Sequence, residues 1–387
     1  MSKFGIVCEF NPLHNGHEYL IRCAGQLGAS SITCVMSGNF TQRGEFAVVD
    51  KYARAEAAVS CGADLVLELP FPWSGASAEY FATAAVSILS PFCDKLLFGS
   101  ECGDIEKLKR AASICDSGDF DRDYATRTTN GEGAASAFLE CLQSRGIEKL
   151  SSNDLLGVAY IRAINRLGTE IEPVTVKRVG EDYNSKMITA QGYQSATAIR
   201  EALKKGFSVE KNVPKKMNEI LLRETEVGRV SDIKQAENAI LGVFRMADTG
   251  AFDGIADAGG GVGNRLIRSA RESRTYAEML ERAKTKRYTD AKLRRATVFC
   301  VTGVNNSDIS SLPEYTTLLG VNDKGRELLA ANRKGGGIKV VTKPADAPDT
   351  RQSRLSSKLD LLYGLTMTER LTEEYFTKKG AYVGNKF

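Results

Sequence analysis

The chain opens on a short apolar run at 4–8, Phe-Gly-Ile-Val-Cys, with no polar alternation, the pattern of a strand buried on both faces. Similar runs recur at 32–36, 65–69, 95–98 and 171–177, with Pro70 closing the third of the five. Between them apolar positions return every three or four residues, which predicts helices over 19–27, 51–61, 81–89, 104–115, 133–143 and 154–165. Asp50 stands as N-cap of the second helix, and Ser152 or Asn153 as cap of the last. The polar stretches 116–131 and 178–194 read as loops, and Ser195 caps a further helix that carries Arg200. Strands alternating with helices in this way predict a doubly wound α/β fold with a parallel sheet. Ligands then sit at the carboxyl ends of the strands, the edge where the runs towards His14, Ser37 and Gly99 finish.

Near 209–214 the pattern changes. Helical periodicity takes over at 233–246, 265–270, 276–283 and 289–301, with one short strand expected at 338–342 after Gly335-Gly336-Gly337. A boundary between 205 and 228 divides the chain into 1–210 and a mainly α-helical 211–387. The glycine run 259–263 lacks both a preceding strand and a Gly-Lys-Ser/Thr ending, so it is not a P-loop. No internal repeat is visible.

Composition narrows the field. With 387 residues, 42% hydrophobic and 26% charged, the chain is long enough for two or three domains with proper cores. No apolar stretch reaches the length of a membrane span, and the first residues enter a strand at once, without the pattern of a signal peptide. Nine dispersed cysteines suit reduced thiols, so a cytoplasmic location is expected. Net charge is only +4, but it is unevenly spread. From 264 to 295 eleven basic residues face four acidic ones, with Arg265, Arg268 and Arg271 on one helical face and Lys286-Arg287-Tyr288 in a basic turn. Either this is a solvated helix face, or it is an RNA surface of cations for phosphates and planar groups for unstacked bases.

The chemistry is concentrated in Glu9-Phe10-Asn11-Pro12-Leu13-His14-Asn15-Gly16-His17-Glu18, between the first strand and the first helix. The chain has two histidines, and both are here, three residues apart. Gly16 is expected to let the backbone approach a ligand, and Asn11-Pro12 to fix the entry to the turn. A helix N-terminus with two imidazole donors beside it suits phosphate. Cys8 and Cys23 are too scattered to make a structural zinc site with them.

The string from Gly5 to His17 resembles the signature of the tRNA(Met) cytidine acetate ligase family. So do Met36-Ser37-Gly38-Asn39-Phe40-Thr41-Gln42-Arg43-Gly44-Glu45, Gly62-Ala63-Asp64-Leu65-Val66-Leu67-Glu68-Leu69-Pro70 and Phe98-Gly99-Ser100-Glu101. Thr285-Lys286-Arg287-Tyr288-Thr289 extends the resemblance into the second half. It implies a Rossmann-like nucleotidyltransferase domain over 1–210 that binds ATP, then a mainly helical RNA-binding domain over 211–387. The implied reaction forms acetyl-adenylate from ATP and acetate, then acetylates N4 of the wobble cytidine of elongator tRNA(Met). His14 and His17 take the catalytic role. The implied ATP contacts are Val7, Cys8, Glu9, Phe10, Asn11, Pro12, Leu13, His14, Asn15, Gly16, His17, Glu18, Tyr19, Leu20, Gly99, Asn153 and Arg178. Arg265, Arg268, Arg271, Lys286 and Arg287 are candidates for tRNA. Mg2+ is expected with the triphosphate, without an identifiable protein ligand.

Ser195-Ala196-Thr197-Ala198-Ile199-Arg200 resembles a second nucleotide-contacting motif of the same superfamily. Asp154, Tyr183-Asn184 and Thr317 depart from the family's usual residues. A cofactor adenylyltransferase acting on a phosphorylated small molecule shares the histidine motif and the fold, and is the leading rival. A non-catalytic RNA-binding protein comes third.

Overall fold

The computed structural model describes residues 2–130, 132–148, 150–178 and 195–384. The stretch read as a loop after Arg178, with Tyr183-Asn184, lies largely outside them. Five strands follow the expected order: β1 Ser2–Cys8, β2 Ala29–Ser37, β3 Leu65–Leu69, β4 Lys95–Ser100 and β5 Glu172–Lys177. They pair in parallel in the order β5-β4-β1-β2-β3, so their carboxyl ends share one edge. Alternation along the strands feeds two cores. Phe4, Ile6 and Cys34 pack under helices Asn15–Gln26, Lys51–Ser60 and Ala196–Lys204. Val35, Leu67 and Phe98 pack under Ala78–Leu89, Ile105–Cys115 and Ser152–Leu167.

Residues beyond 211 are mainly helical, as expected, but they also return to this sheet. β6, Tyr315–Val321, pairs antiparallel with β3, while β7 (Lys339–Val341) and β8 (Tyr382–Val383) run parallel to β6. Strand β6 is buried along its whole length and has no counterpart in the periodicity reading. The stretch expected as a loop at 116–131 contains helix Gly118–Thr129, capped by Ser117, whose Oγ accepts the Phe120 N–H. Phe120 is the one residue this helix buries, so there was no apolar stripe to read. The cap of Ser152–Leu167 is Ser151, in a capping box with Asp154, rather than Ser152 or Asn153.

A third core ties the helical part to the strand ends. Phe40, after β2, and Phe71, after β3, are buried among Ile240, Phe244, Leu266 and Phe299. The helices of the second half are thereby rooted at the edge where the carboxyl ends of the strands lie.

Candidate functional site

Helix Asn15–Gln26 starts directly after the turn, and its N-cap is His14. The His14 Nδ1 accepts the Gly16 N–H at 3.1 Å, and the His14 N–H donates to His17 Nδ1 at 3.3 Å. This is a capping box assembled from two imidazoles. Their rings stack with centroids 3.6 Å apart, and Phe10 meets His17 edge-on at 5.1 Å. A ring nitrogen that accepts a hydrogen bond carries no proton, so each neutral ring bears its proton on Nε2. Burial, then Arg178 and Arg200, drives the His14 imidazole down to about 3. Burial, then His14 and Arg178, holds His17 well below its ordinary value. The turn therefore combines two Nε2–H donors with a helix N-terminus, and no imidazolium charge at neutral pH.

Gly16 also seats His14. A Cβ there would lie 3.0 Å from His14 Cε1 and 3.1 Å from its Nδ1, so the missing side chain makes room for the imidazole itself. Phe10 takes a left-handed backbone at φ 46°, and Asn11–Pro12 is cis. Asn11 is buried, and its Oδ1 accepts the Val48 N–H at 2.8 Å. Cys8, Pro12 and Leu13 are buried, whereas Val7, Asn15, Glu18, Tyr19 and Leu20 keep partial exposure. The Glu9 carboxylate accepts the Gln42 N–H at 2.8 Å, and burial raises it above the usual carboxylate range.

Two arginines brace this edge. Arg54 is wholly buried and meets only backbone oxygens: Val49 O at 3.1 Å, Glu9 O at 2.6 Å, Ser37 O at 3.0 Å and Gly38 O at 2.5 Å. It ties the ends of β1 and β2 together and leaves a cation beneath the turn. Arg200, on the helix capped by Ser195, donates to Asn11 O at 2.9 Å and pairs with Glu45 at 2.5 Å. Arg54 had no role in the sequence reading. The available signal was its alanine-rich surroundings, Ala53, Ala55, Ala57 and Ala58, which leave no solvated stripe.

Asn153 and Arg178 converge on one further residue, Glu101, which the sequence reading quoted within a motif but gave no role. Arg178 reaches Glu101 Oε1 through Nε at 3.4 Å. Asn153 donates Nδ2–H to the same oxygen, and Ser151 donates its hydroxyl to Oε2. A Cβ on Gly99 would stand 3.1 Å from Arg178 Cγ, so this glycine too makes room for a neighbouring side chain. The two β4-side groups and the histidine turn belong together electrostatically, because Arg178 acts on both imidazoles. Asp154 caps its own helix, accepting from Ser151 N at 2.9 Å and Cys102 N at 3.1 Å.

The basic cluster thins on inspection. Arg295 is buried against Asp257 at 2.7 Å, Arg282 pairs with Glu278 at 3.2 Å, and Lys284 pairs with Asp290 at 3.2 Å. Arg265, Arg268 and Arg271 are exposed on helix Val262–Arg271, although Arg271 also donates to Ala247 O at 2.8 Å. Lys286 and Arg287 are exposed in their turn, with Arg287 lying 5.9 Å from the Tyr288 ring. The loop after β2 meets this surface, since a Cβ on Gly44 would stand 2.7 Å from Arg294 Cβ. Arg294 also donates to Arg43 O at 3.1 Å.

A separate cleft, enclosing about 590 Å³ with its open mouth, is lined by Lys51, Glu68, Thr317 and Asp360 among others. No residue of the histidine turn borders it, so Thr317 stands away from the turn. Lys51 fills its charged floor by pairing with Glu68 at 2.8 Å and Asp360 at 3.2 Å. Among the described residues no group of three or more His, Cys, Asp and Glu is placed to hold a metal ion. No described helix is long and apolar enough to cross a membrane.

Comparison with known proteins agrees with this geometry. The family model described as HIGH Nucleotidyl Transferase matches residues 1–378. A tRNA(Met) cytidine acetate ligase from Acetivibrio thermocellus is 34% identical, covering 93% of this chain and 92% of that relative. One from Caldicellulosiruptor bescii is 37% identical, covering 89% of this chain and 87% of that relative. The crystal structure of apo Thermotoga maritima TmcAL superposes with a TM-score of 0.91 at 32% identity, over 100% of both chains. The same protein bound with alpha-thio ATP gives 0.87 at 31% identity, again over 100% of both chains.

Proposed function

The chain belongs to the tRNA(Met) cytidine acetate ligase family of HIGH nucleotidyl transferases, and from that membership we propose that it is an ATP-dependent tRNA-modifying ligase. It activates acetate as acetyl-adenylate and acetylates N4 of the wobble cytidine of elongator tRNA(Met). The observation that carries this reading is the pair of neutral, stacked imidazoles capping a helix, with both Nε2–H groups left to donate.

In the first step an acetate oxygen attacks the α-phosphorus, the bond to the bridging oxygen breaks, and pyrophosphate leaves. Acetate is already ionised at neutral pH, so no general base is needed. The work is positioning and charge stabilisation. His14 and His17 donate from Nε2 to phosphoryl oxygens, beside the positive end of the dipole of helix Asn15–Gln26. Arg178 supplies the cationic donor from the β4 side, and Asn153 contacts the nucleoside. Arg200 is already held by Asn11 O and Glu45, so it acts by its field and by bracing the turn. Any magnesium would come with the triphosphate and would stabilise charge on its phosphates; among the described residues no group of three or more His, Cys, Asp and Glu is placed to hold a metal ion. In the second step the cytidine amino group attacks the acetyl carbonyl, AMP leaves, and the amine loses a proton. The exposed basic residues Arg265, Arg268, Lys286 and Arg287 hold the RNA backbone while the base is unstacked.

Two measurements test the proposal. Label should exchange between pyrophosphate and ATP only when acetate is present. Mass spectrometry of tRNA incubated with the protein, ATP and acetate should show acetylated cytidine. Exchange that depends instead on a phosphorylated metabolite, with unmodified tRNA, makes the protein a cofactor adenylyltransferase.

A further inference from the structure

The Glu101 carboxylate sits at the carboxyl end of β4, where it is shared by Ser151, Asn153 and Arg178. An ionised carboxylate only accepts hydrogen bonds. Asn153 must therefore turn its NH2 towards Glu101, which leaves Oδ1 as the group it offers outward. Arg178 makes its nearest approach to Glu101 through Nε, at 3.4 Å. Its terminal fork extends beyond that nitrogen, and Nη1 lies 3.9 Å from the Cβ position of Gly99, over the end of β4. From there the guanidinium acts on both imidazoles of the turn. One carboxylate sets the orientation of two groups, each with a different outward chemistry.

We infer that Glu101 is a positioning residue for the nucleotide: it makes Asn153 an acceptor for a hydrogen-bond donor on the nucleoside, and it aims the Arg178 NH2 groups at the phosphates. The inference rests on the ATP-binding reading above and goes beyond it, because it names what that site selects. The donor read by Asn153 Oδ1 is either the adenine 6-amino group or a ribose hydroxyl. GTP presents a carbonyl where adenine has its amine, and 2′-deoxy-ATP lacks a hydroxyl, so the two analogues separate these sources. A site that leaves a buried polar partner unmatched discriminates strongly against the wrong ligand.

The test is acetate-dependent ATP–pyrophosphate exchange with ATP, GTP and 2′-deoxy-ATP, in the full chain and its variants. Wild type should disfavour at least one analogue. Glu101→Gln can donate to Asn153 Oδ1, which frees the amide to flip, so that discrimination should shrink by about tenfold and the KM for ATP should rise by a similar factor. In an Asn153→Ala background, Glu101→Gln should not alter discrimination further. Melting temperature is followed in parallel. If Glu101→Gln does not fold, Glu101→Asp keeps the charge but withdraws it from Asn153 and Arg178, and the same two changes are expected. A folded Glu101→Gln or Glu101→Asp protein with wild-type KM and discrimination overturns the inference, as does a wild type that treats all three nucleotides alike. A wild type without acetate-dependent exchange instead removes the ligase reading itself.

Discussion

Replacing Gly16 by alanine separates the chemistry of the turn from its stability. The added Cβ lies 3.0 Å from His14 Cε1, several tenths of an ångström inside a comfortable contact. His14 cannot simply swing aside. Its ring is 5% exposed and is stacked on His17 at 3.6 Å, so any retreat shifts both imidazoles and the Nε2–H groups they present. A displacement on the order of 0.5 Å is already at the tolerance of a preorganised site. Misplacing donors in this way lowers rate by about 10- to 100-fold. The backbone effect has the opposite sign, because Gly→Ala inside a helix adds about 0.5–1 kcal/mol, which offsets contact strain of similar size. The expected protein therefore melts within a few degrees of wild type while acetate-dependent exchange falls by at least an order of magnitude. Its loss appears mainly in kcat, where donors to the departing pyrophosphate act. Wild-type exchange rates in Gly16→Ala would refute the idea that this glycine exists to seat His14.

Three other outcomes follow from the same geometry. Because His14 stays neutral in the folded chain down to about 3 while an unfolded histidine charges below about 6.5, protons favour the unfolded state in that window. Stability therefore falls with falling pH by about 1.4 kcal/mol per unit from this residue, and urea unfolding at several pH values should show His14→Asn losing that much slope. Lys51→Met strands two buried carboxylates, Glu68 and Asp360, so denaturant unfolding should show a loss of about 3–5 kcal/mol, partly restored by adding Asp360→Asn. Reversing Lys286 and Arg287 to glutamate should weaken tRNA binding and reduce its logarithmic salt slope by about two, with acetate-dependent exchange unchanged.

The parts of this molecule that could be read from its sequence are those whose cause is local. Strands β1 to β4 are largely buried, so each leaves a short, mainly apolar run, whereas β5 is only partly buried. The histidine turn was legible because the residue type is so scarce in this chain. Strand β6 was not, since its place depends on pairing with β3, some 250 residues earlier, and nothing within Tyr315–Val321 announces that partner. Buried charge is hidden in the same way. The letters show an arginine at 54, but not the four carbonyl oxygens that come to it from three separate segments.

The two glycines of the site carry this point furthest. The sequence reading gave Gly16 to the close approach of a ligand, and Gly99, through the resemblance, to ATP. The structure fills both gaps from within, with His14 over one and Arg178 over the other. Each glycine thus also seats a side chain that the proposed chemistry uses. That arrangement explains why the site combines a backbone-held cation, two neutral rings and an arginine aimed by Glu101 on so small an edge. The strand ends supply the positions, and residues arriving from other layers decide what those positions can bind.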